Sequence, residues 1–309
     1  DPQRATGWWR RLDQRGRAAC HEVLGLRPDS RWPADLDSGP GVVSRLLPGG
    51  RAAGLPMYDW PEVHGAVDAL WAAIYWGLRD AGIDAPEGVW RPDRPEDLWT
   101  HPDLLIGEMC GYQIVNDLRG RVEVLGVLDR GVDGCEPGDY RSVLVCRDDD
   151  PAVGLEDFRD RPVAVNGHRS QSGYGALVHE FAPLAVDGRF FDSEVTTGSH
   201  RGSMRAVADG RADVAAIDEV SWRLGLDHEP VVDRLRIVAW TEPTPGVPLV
   251  TSWTNAGLRD RLNDAISTAV ADLDVKVREP LHLYGYRPRP TSDYEGIAER
   301  LAAANLTYG

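Results

Sequence analysis

Short apolar runs alternate with helix-like segments along most of this chain, and this alternation limits the fold more than any other feature. The first helix-like segment has apolar residues three or four apart, the period of an amphipathic helix: Val63, Val67, Leu70, Ile74 and Leu78. Apolar runs predict strands at Ala52–Tyr58, Leu104–Ile106, Val122–Leu128, Ser142–Cys146, Val163–Asn166, Glu194–Thr196, Asp213–Ile217 and Arg236–Trp240. Such alternation is typical of α/β proteins with largely parallel sheets, so the predicted fold class is α/β.

The alternation occurs in two series, joined near residues 146–152 and again at the proline-rich segment 240–248. We therefore predict two lobes with two crossover connections: lobe 1 over 51–147 plus 243–309, and lobe 2 over 148–242. Residues 1–50 are rich in Arg, Asp, Gly and Pro without periodicity, and are predicted to form a weakly ordered N-terminal extension. A ligand is expected in the cleft between the lobes, where strands end.

Charge restricts the class of partner. The 309 residues carry a formal net charge of −15, which argues against nucleic-acid backbones and anionic membranes as partners. A small anionic ligand remains compatible with this charge, because local dipoles outweigh a distant, screened net charge. The longest apolar runs are far shorter than the roughly 18 residues needed to span a membrane, so no membrane span is expected.

The motifs of common enzymes and cofactor sites do not match. Ser170 and Ser172 lack the G-x-S-x-G spacing of a nucleophile elbow, and the glycines nearby fit neither a dinucleotide fingerprint nor a P-loop. His179 opens no H-E-x-x-H motif, and none of the four cysteines forms a C-x-x-C pair. No metal, cofactor or catalytic residue is therefore predicted, while Cys110 and Cys135 are compatible with either a disulfide or two free thiols.

Anion binding fits the stretch Ser170-Gln171-Ser172-Gly173 better. It follows an apolar strand and precedes a helix, so free N–H groups and the positive end of the helix dipole are expected to point outward from Ser172 and Gly173. The serine hydroxyls add donors, and glycine allows close approach to the backbone. Taken alone, however, the stretch is better explained as a turn whose serines only cap their own helix.

A second segment repeats the arrangement. Thr197, Ser199 and His200 follow another predicted strand and open the helix Arg201–Ala208. Two helix starts at the same strand ends are able to converge on one anion, so the two segments together favour an anion site.

These residues resemble a known family. Strand–SQSGY–helix followed by TGSHRGSMRAVADGRADVAAID is similar to the phosphate/phosphonate ABC-transporter substrate-binding proteins, a branch of the type II periplasmic binding proteins. The segments LPMYDWPEV, EMCGYQIV, GCEPGDYRSVLV and IVAWTEPTPGVPLVTS resemble the same family, so the likeness covers about residues 52–290.

The resemblance implies a two-lobed clamshell that closes on a small oxyanion. It implies that Ser170, Gln171, Ser172 and His200 hold the phosphonate or phosphate oxygens, with Gly173 completing the turn. It further implies contacts from Tyr58 and Tyr112 of the first lobe, and from Asp218, which would read a cationic or hydroxyl part of the ligand. Relatives that bind aminoalkyl phosphonates tend to carry an acidic residue where this chain has Val247, which argues against an amino-bearing ligand.

The predicted function is thus capture of a phosphonate- or phosphate-like anion for ABC-type uptake, with an ABC permease as partner. The resemblance implies an extracytoplasmic location, although no signal peptide is visible and a cytoplasmic one stays open. The alternative is a lyase- or dehydratase-like enzyme on the same fold, prompted by His200, Asp218 and two tyrosines near one cleft. A ligand-sensing module has less support.

Overall fold

The structure, a computed structural model, describes residues 50–303 of the chain, with side chains to residue 300. The predicted N-terminal extension therefore lies outside the described residues except for Gly50. The strands are β1 Ala52–Gly54, β2 Leu104–Glu108, β3 Val122–Asp129, β4 Asp139–Tyr140, β5 Ser142–Arg147, β6 Val163–Val165, β7 Glu194–Thr196, β8 Val214–Asp218, β9 Leu235–Trp240, β10 Thr244–Pro245, β11 Pro248–Ser252 and β12 Gly285–Pro288.

The α-helices are α1 His64–Asp80, α2 Pro95–Trp99, α3 Gly111–Val115, α4 Ala176–Phe181, α5 His200–Ala208, α6 Glu219–His228, α7 Arg259–Ala271, α8 Val275–Arg278 and α9 Glu295–Ala303. Short 3₁₀ turns lie at Pro61–Val63, Leu155–Phe158, Ala182–Leu184, Pro230–Arg234, Trp253–Leu258, Glu279–Leu281 and Thr291–Tyr294. A π turn, Gln171–Gly175, leads directly into α4. Within residues 50–303, no helix is both long and apolar enough to cross a bilayer.

The chain divides into two compact units. Unit 1 comprises residues 50–109, Gly120–Arg130 and Pro248–Pro290, and unit 2 comprises Cys110–Arg119, Gly131–Val247 and residues 291–303. The prediction placed β5 in lobe 1, but β5 pairs with β8 and β9 in the sheet of unit 2. The boundary therefore falls at Arg130 and Gly131 rather than near residues 146–152.

Unit 1 is built on the sheet β1-β2-β11-β3-β12. Only β1 and β2 pair in parallel, because β11 enters between β2 and β3 antiparallel to both. The periodic helix α1 packs on α7 and buries Val67, Leu70, Trp71, Ile74 and Leu78, and it stops at Gly82, whose φ of +69° favours glycine. The prediction of an amphipathic helix is confirmed.

Unit 2 is built on the sheet β7-β6-β8-β5-β9, accompanied by the two-stranded ribbon of β4 and β10. Strands β6, β7 and β8 are parallel, whereas β5 runs antiparallel between β8 and β9. Both sheets are thus mixed: the prediction of largely parallel sheets was wrong for unit 1, whereas in unit 2 four of the five strands run in the same direction. The core behind β6 and β8 contains three mutually packed rings, Phe181, Phe190 and Phe191, with centroids 4.7–4.9 Å apart.

The described cysteines Cys110, Cys135 and Cys146 are free thiols. Burial raises the pKa of the Cys110 thiol, which keeps it protonated near neutral pH. Of the two arrangements left open by the sequence, the structure has two free thiols at Cys110 and Cys135.

Candidate functional site

The turn after β6 is irregular in the way that functional turns often are. Residues Gln171–Gly175 form one π turn, and the N–H of Gly175 donates to the carbonyl of Ser170 at 2.9 Å. Ser170 is the N-cap: its Oγ accepts a hydrogen bond from the N–H of Gly173 at 3.0 Å. Ser170 therefore caps its own helix, which was one of the two interpretations of the sequence. The N–H of Gly173 was expected to point outward, but it donates to the Oγ of Ser170 instead.

A side chain at position 173 would collide with a close neighbour. A Cβ built on Gly173 would lie 2.0 Å from Oδ1 and 2.5 Å from Cγ of Asn166. Asn166 directly follows β6, so its amide side chain occupies the space that a larger residue at 173 would need. The turn is thereby held close to the end of β6.

Ser172 and His200 meet in unit 2. His200 is the first residue of α5, whose N-cap Ser199 accepts from the N–H of Gly202 at 2.9 Å. This places Nε2 of His200 2.9 Å from Oγ of Ser172 and 3.3 Å from Nδ2 of Asn166. The predicted convergence of two helix starts thus brings one hydroxyl and one imidazole together.

Asp218 joins the same group from the end of β8. Its Oδ1 accepts from the N–H of Ser221 at 2.9 Å and so caps α6, while its Oδ2 lies 3.2 Å from Nε2 of His200. Its exposed fraction is only 3%. We call Asn166, Ser172, His200 and Asp218 the site cluster.

The site cluster does not have the geometry of a catalytic triad. In a triad the serine and the carboxylate bind different nitrogens of the imidazole, so that a proton passes through the ring. Here Oγ of Ser172 and Oδ2 of Asp218 both approach Nε2 of His200. This arrangement suits hydrogen bonding to a ligand rather than activation of Ser172.

The imidazole of His200 is neutral near physiological pH. Burial lowers its pKa below the usual 6.5, against the opposing effects of the Asp218 carboxylate and a hydrogen bond with the Ala216 backbone. A neutral imidazole offers one donor nitrogen and one acceptor nitrogen.

Gln171 faces other parts of unit 2. Its backbone N–H donates to Sγ of Cys110 at 3.4 Å, and its side-chain Nε2 donates to Oγ1 of Thr244 at 2.8 Å. Both contacts join the π turn to neighbouring segments, so in this structure Gln171 anchors the turn.

The two predicted tyrosines lie in different units. Tyr58, in unit 1, is buried, and the guanidinium of Arg130 stacks 5.0 Å from its ring centroid. Tyr112 belongs to unit 2 rather than to the first lobe, which corrects the prediction. The reason is tertiary: its helix α3 contacts α9, and the neighbouring Gln113 donates to the carbonyl of Arg169 at 3.0 Å.

Three residues in or beside the site cluster were missed from the sequence. Asn166 was predicted only as the last residue of a strand, although a polar residue at the end of a strand is a signal for a site. Ser142 pairs with Asp218 across β5 and β8, and its hydroxyl donates to the carbonyl of Ser172 at 2.9 Å. Tyr140 is buried; burial raises its pKa well above the usual value, against a hydrogen bond with Ser172. The positions of Ser142 and Tyr140 beside the site cluster depend on strand register, which cannot be predicted from a local sequence pattern.

The arginines beside the two turns form ion pairs. Arg169 pairs with Asp117 on the surface, and Arg201 pairs with the buried Glu229. Arg201 is thus engaged in an ion pair with a buried carboxylate.

A family model described as ABC transporter, phosphonate, periplasmic substrate-binding protein matches residues 104–302. No curated protein sequence matches the chain.

Several solved structures share the fold. PhnD1 from Prochlorococcus marinus, in complex with methylphosphonate, is 14% identical with a TM-score of 0.64, and the match covers 82% of this chain and 97% of PhnD1. A binding protein component of an ABC phosphonate transporter from Pseudomonas aeruginosa is 18% identical with a TM-score of 0.58, covering 81% and 85%. XAC2383 from Xanthomonas citri, bound to ATP, is 18% identical with a TM-score of 0.62, covering 82% and 98%. The chain has the periplasmic-binding-protein fold, as predicted.

Proposed function

The chain belongs to the family of periplasmic substrate-binding proteins of phosphonate ABC transporters, and on that premise we propose that it holds a phosphonate- or phosphate-like oxyanion at Ser172 and His200. The observation that carries this proposal is the 2.9 Å contact between Oγ of Ser172 and Nε2 of His200, at the starts of two helical segments. The family works outside the cytoplasm with an ABC permease, and we propose the same location and partner for this chain.

Neutral donors suit this task. A hydroxyl rotates to follow a ligand oxygen, and a neutral imidazole donates from one nitrogen without adding a full positive charge. The helix starts supply partial positive charge at fixed positions. Such a site binds an anion by geometry, whereas a group of lysines would attract any anion. The main-chain carbonyl of Ser172 is fixed by Ser142, which keeps the π turn in place.

The remaining predicted contacts support the proposal to different degrees. Ser170 has an Oγ that caps Gly173 and still has a hydroxyl hydrogen to donate. Gln171, Tyr112 and Tyr58 stay predictions, as does the preference for a ligand without an amino group, for which Val247 was the reason.

Isothermal titration calorimetry of the full chain tests the proposal, with phosphate, phosphite, methylphosphonate and 2-aminoethylphosphonate as probes. Ser172→Ala and His200→Ala are each expected to weaken binding of the preferred probe by about tenfold or more, because a donor to a charged ligand is lost. Ser193→Ala is the matched control, since Ser193 is exposed and its hydroxyl donates to the neighbouring Asp192. Absence of binding to all four probes, or unchanged affinity in both site variants, would contradict the proposal.

A further inference from the structure

The peptide bond between Asn166 and Gly167 is of a kind that occurs once in the chain, because no other asparagine of the sequence precedes a glycine. We propose that Asn166 deamidates spontaneously, so that a carboxylate replaces a neutral amide of the site cluster and anion binding weakens. The effect on binding rests on the proposed function, whereas the chemical change does not depend on it.

Deamidation of this pair needs no reactant besides water. The backbone nitrogen of Gly167 loses its proton to hydroxide and attacks Cγ of Asn166. The N–Cγ bond forms, and the Cγ–Nδ2 bond breaks; Nδ2 takes a proton from water as it leaves as ammonia, which regenerates the hydroxide. Water then opens the cyclic imide at either carbonyl. Opening at the side-chain carbonyl leaves aspartate at position 166, and opening at the backbone carbonyl leaves isoaspartate, whose main chain runs through the former side chain.

The attacking nitrogen is free to react. Within residues 50–300, the N–H of Gly167 donates to no protein acceptor, although the carbonyl of the same residue accepts from the N–H of Ser170 at 3.0 Å. A Cβ built on Gly167 would meet no atom within 4 Å, so no neighbouring side chain crowds this nitrogen. Asn166 and Gly167 are partly exposed and His168 is exposed, so water reaches the peptide bond. Glycine also lacks the side chain that would hinder the attack.

The amide under attack is weakly held. Oδ1 of Asn166 is buried against Gly173 and has no hydrogen-bond partner within the described part of the chain. Nδ2 of Asn166 makes a long contact, 3.3 Å, with Nε2 of His200. A buried amide oxygen without a donor is unfavourable in the folded state. Rotation of this amide toward the nitrogen of Gly167 therefore sacrifices little hydrogen bonding.

The other described asparagines lack this combination of features. Asn255 and Asn263 are buried, and Asn116 is exposed but is followed by Asp117, whose side chain hinders attack by the backbone nitrogen. The side-chain amides of Asn116 and Asn255 also donate to backbone carbonyls at 3.1 Å. Position 166 is therefore expected to react before these three.

The product changes the charge of the site cluster. A carboxylate at position 166 would stand beside Nε2 of His200, which already has Oδ2 of Asp218 at 3.2 Å. The added negative charge repels an anion, and the amide donor is lost. A proton taken up by His200 in response is held between carboxylates, so it does not restore a donor to the ligand. Isoaspartate also lengthens the main chain between β6 and the π turn, which displaces the turn packed against position 166.

Peptide mass spectrometry of the full chain tests the chemical step. During incubation at alkaline pH, the peptide that contains Asn166 is expected to lose its amide, while the peptide that contains Asn116 keeps it. Asn166→Gln is the control for the mechanism, since the longer side chain would have to close a larger ring. This variant is expected to keep its amide under the same conditions, and it leaves Gly167 unchanged.

Calorimetry with methylphosphonate tests the consequence. Asn166→Asp, which has the sequence of one product, is expected to bind about tenfold or more weakly than freshly prepared wild type. Wild type aged at alkaline pH is expected to lose affinity in proportion to the amide lost. Ser193→Asp, which adds the same charge at an exposed position of unit 2, is the matched control and keeps the wild-type affinity.

The outcomes separate the inference from the proposed function. Retention of the amide at position 166, or earlier loss of the amide of Asn116, overturns the inference whatever the chain binds. Equal affinity of Asn166→Asp and fresh wild type for methylphosphonate overturns it as well and leaves the proposed function standing. If fresh wild type binds none of the anions, the proposed function fails and the effect on binding fails with it, while the mass spectrum still decides the chemical step.

Discussion

Glu108 of unit 1 and Asp218 of unit 2 are both buried carboxylates, and they have different partners. In unit 1, Glu108 pairs with Arg130 at 3.3 Å and also accepts from the N–H of Met57 at 3.0 Å. In unit 2, Asp218 caps a backbone N–H and contacts a neutral imidazole, and no arginine among residues 50–300 pairs with it. Burial raises the pKa of Glu108 while Arg130 opposes that rise. The comparison indicates that Glu108 has a cationic partner within its own unit, whereas Asp218 contacts a backbone N–H and a neutral imidazole.

The largest effect is expected from removing the partner of Glu108. Arg130→Met leaves a buried carboxylate without its cation and should lower the free energy of unfolding by about 3–5 kcal/mol in urea denaturation. Asp218→Asn should change it by less than about 1 kcal/mol, because the cap of α6 is kept.

The double variant Glu108→Gln with Arg130→Met serves as the control, since it removes both charges and should recover much of the loss. A loss below about 1 kcal/mol in Arg130→Met, or equal losses in the Arg130 and Asp218 variants, would abolish the distinction between the two carboxylates.

Substitution of Gly173 is expected to have the next largest effect. The Cβ in Gly173→Ala would meet the Asn166 side chain at 2.0 Å, so the π turn or Asn166 must shift. We expect a loss of about 1–3 kcal/mol in stability together with weaker anion binding. Gly88→Ala is the control, because a Cβ there meets no atom within 4 Å. Equal thermal stability of both variants would show that the turn tolerates displacement.

A smaller effect is expected at Ser142. Ser142→Ala leaves the buried carbonyl of Ser172 without its hydroxyl donor, which should cost about 1–2 kcal/mol and weaken anion binding several-fold. Ser193→Ala provides the reference for an exposed serine. Unchanged affinity in Ser142→Ala, measured by calorimetry, would mean that the position of Ser172 does not depend on β5.

The smallest effect is the pH dependence due to His200. Its pKa is lowered in the folded state, so the unfolded chain binds the proton more readily than the folded protein between that pKa and 6.5. The stability that comes from keeping the imidazole neutral is fully present above about pH 6.5. As the pH falls below that value, the free energy of unfolding decreases by at most about 1.4 kcal/mol per pH unit. His200→Gln should therefore show a shallower loss of stability between pH 7 and 5 than the wild type. Parallel curves would contradict a neutral His200 with a lowered pKa.

The helices, and the proximity of Ser172 and His200, could be predicted from local sequence patterns. The apolar period of α1 and the hydroxyl-bearing residues after β6 and β7 are visible in short stretches of sequence. Because β6 and β7 pair in parallel, their carboxyl ends lie at the same edge of the sheet. The insertion of β11, the unit to which Tyr112 belongs, and the Ser142–Asp218 register depend on contacts between distant segments. A single sequence offers no signal for these.

The difference between Glu108 and Asp218 is relevant to function only if an anion binds at Ser172 and His200. The most direct test is a histidine side-chain ¹H–¹⁵N NMR spectrum of the full chain during titration with methylphosphonate, with the His200 ring assigned from its absence in His200→Gln. The account predicts that the His200 nitrogen resonances shift on saturation, and that the shift is lost or greatly reduced in Ser172→Ala. A saturated complex that leaves the His200 ring unchanged would contradict the account.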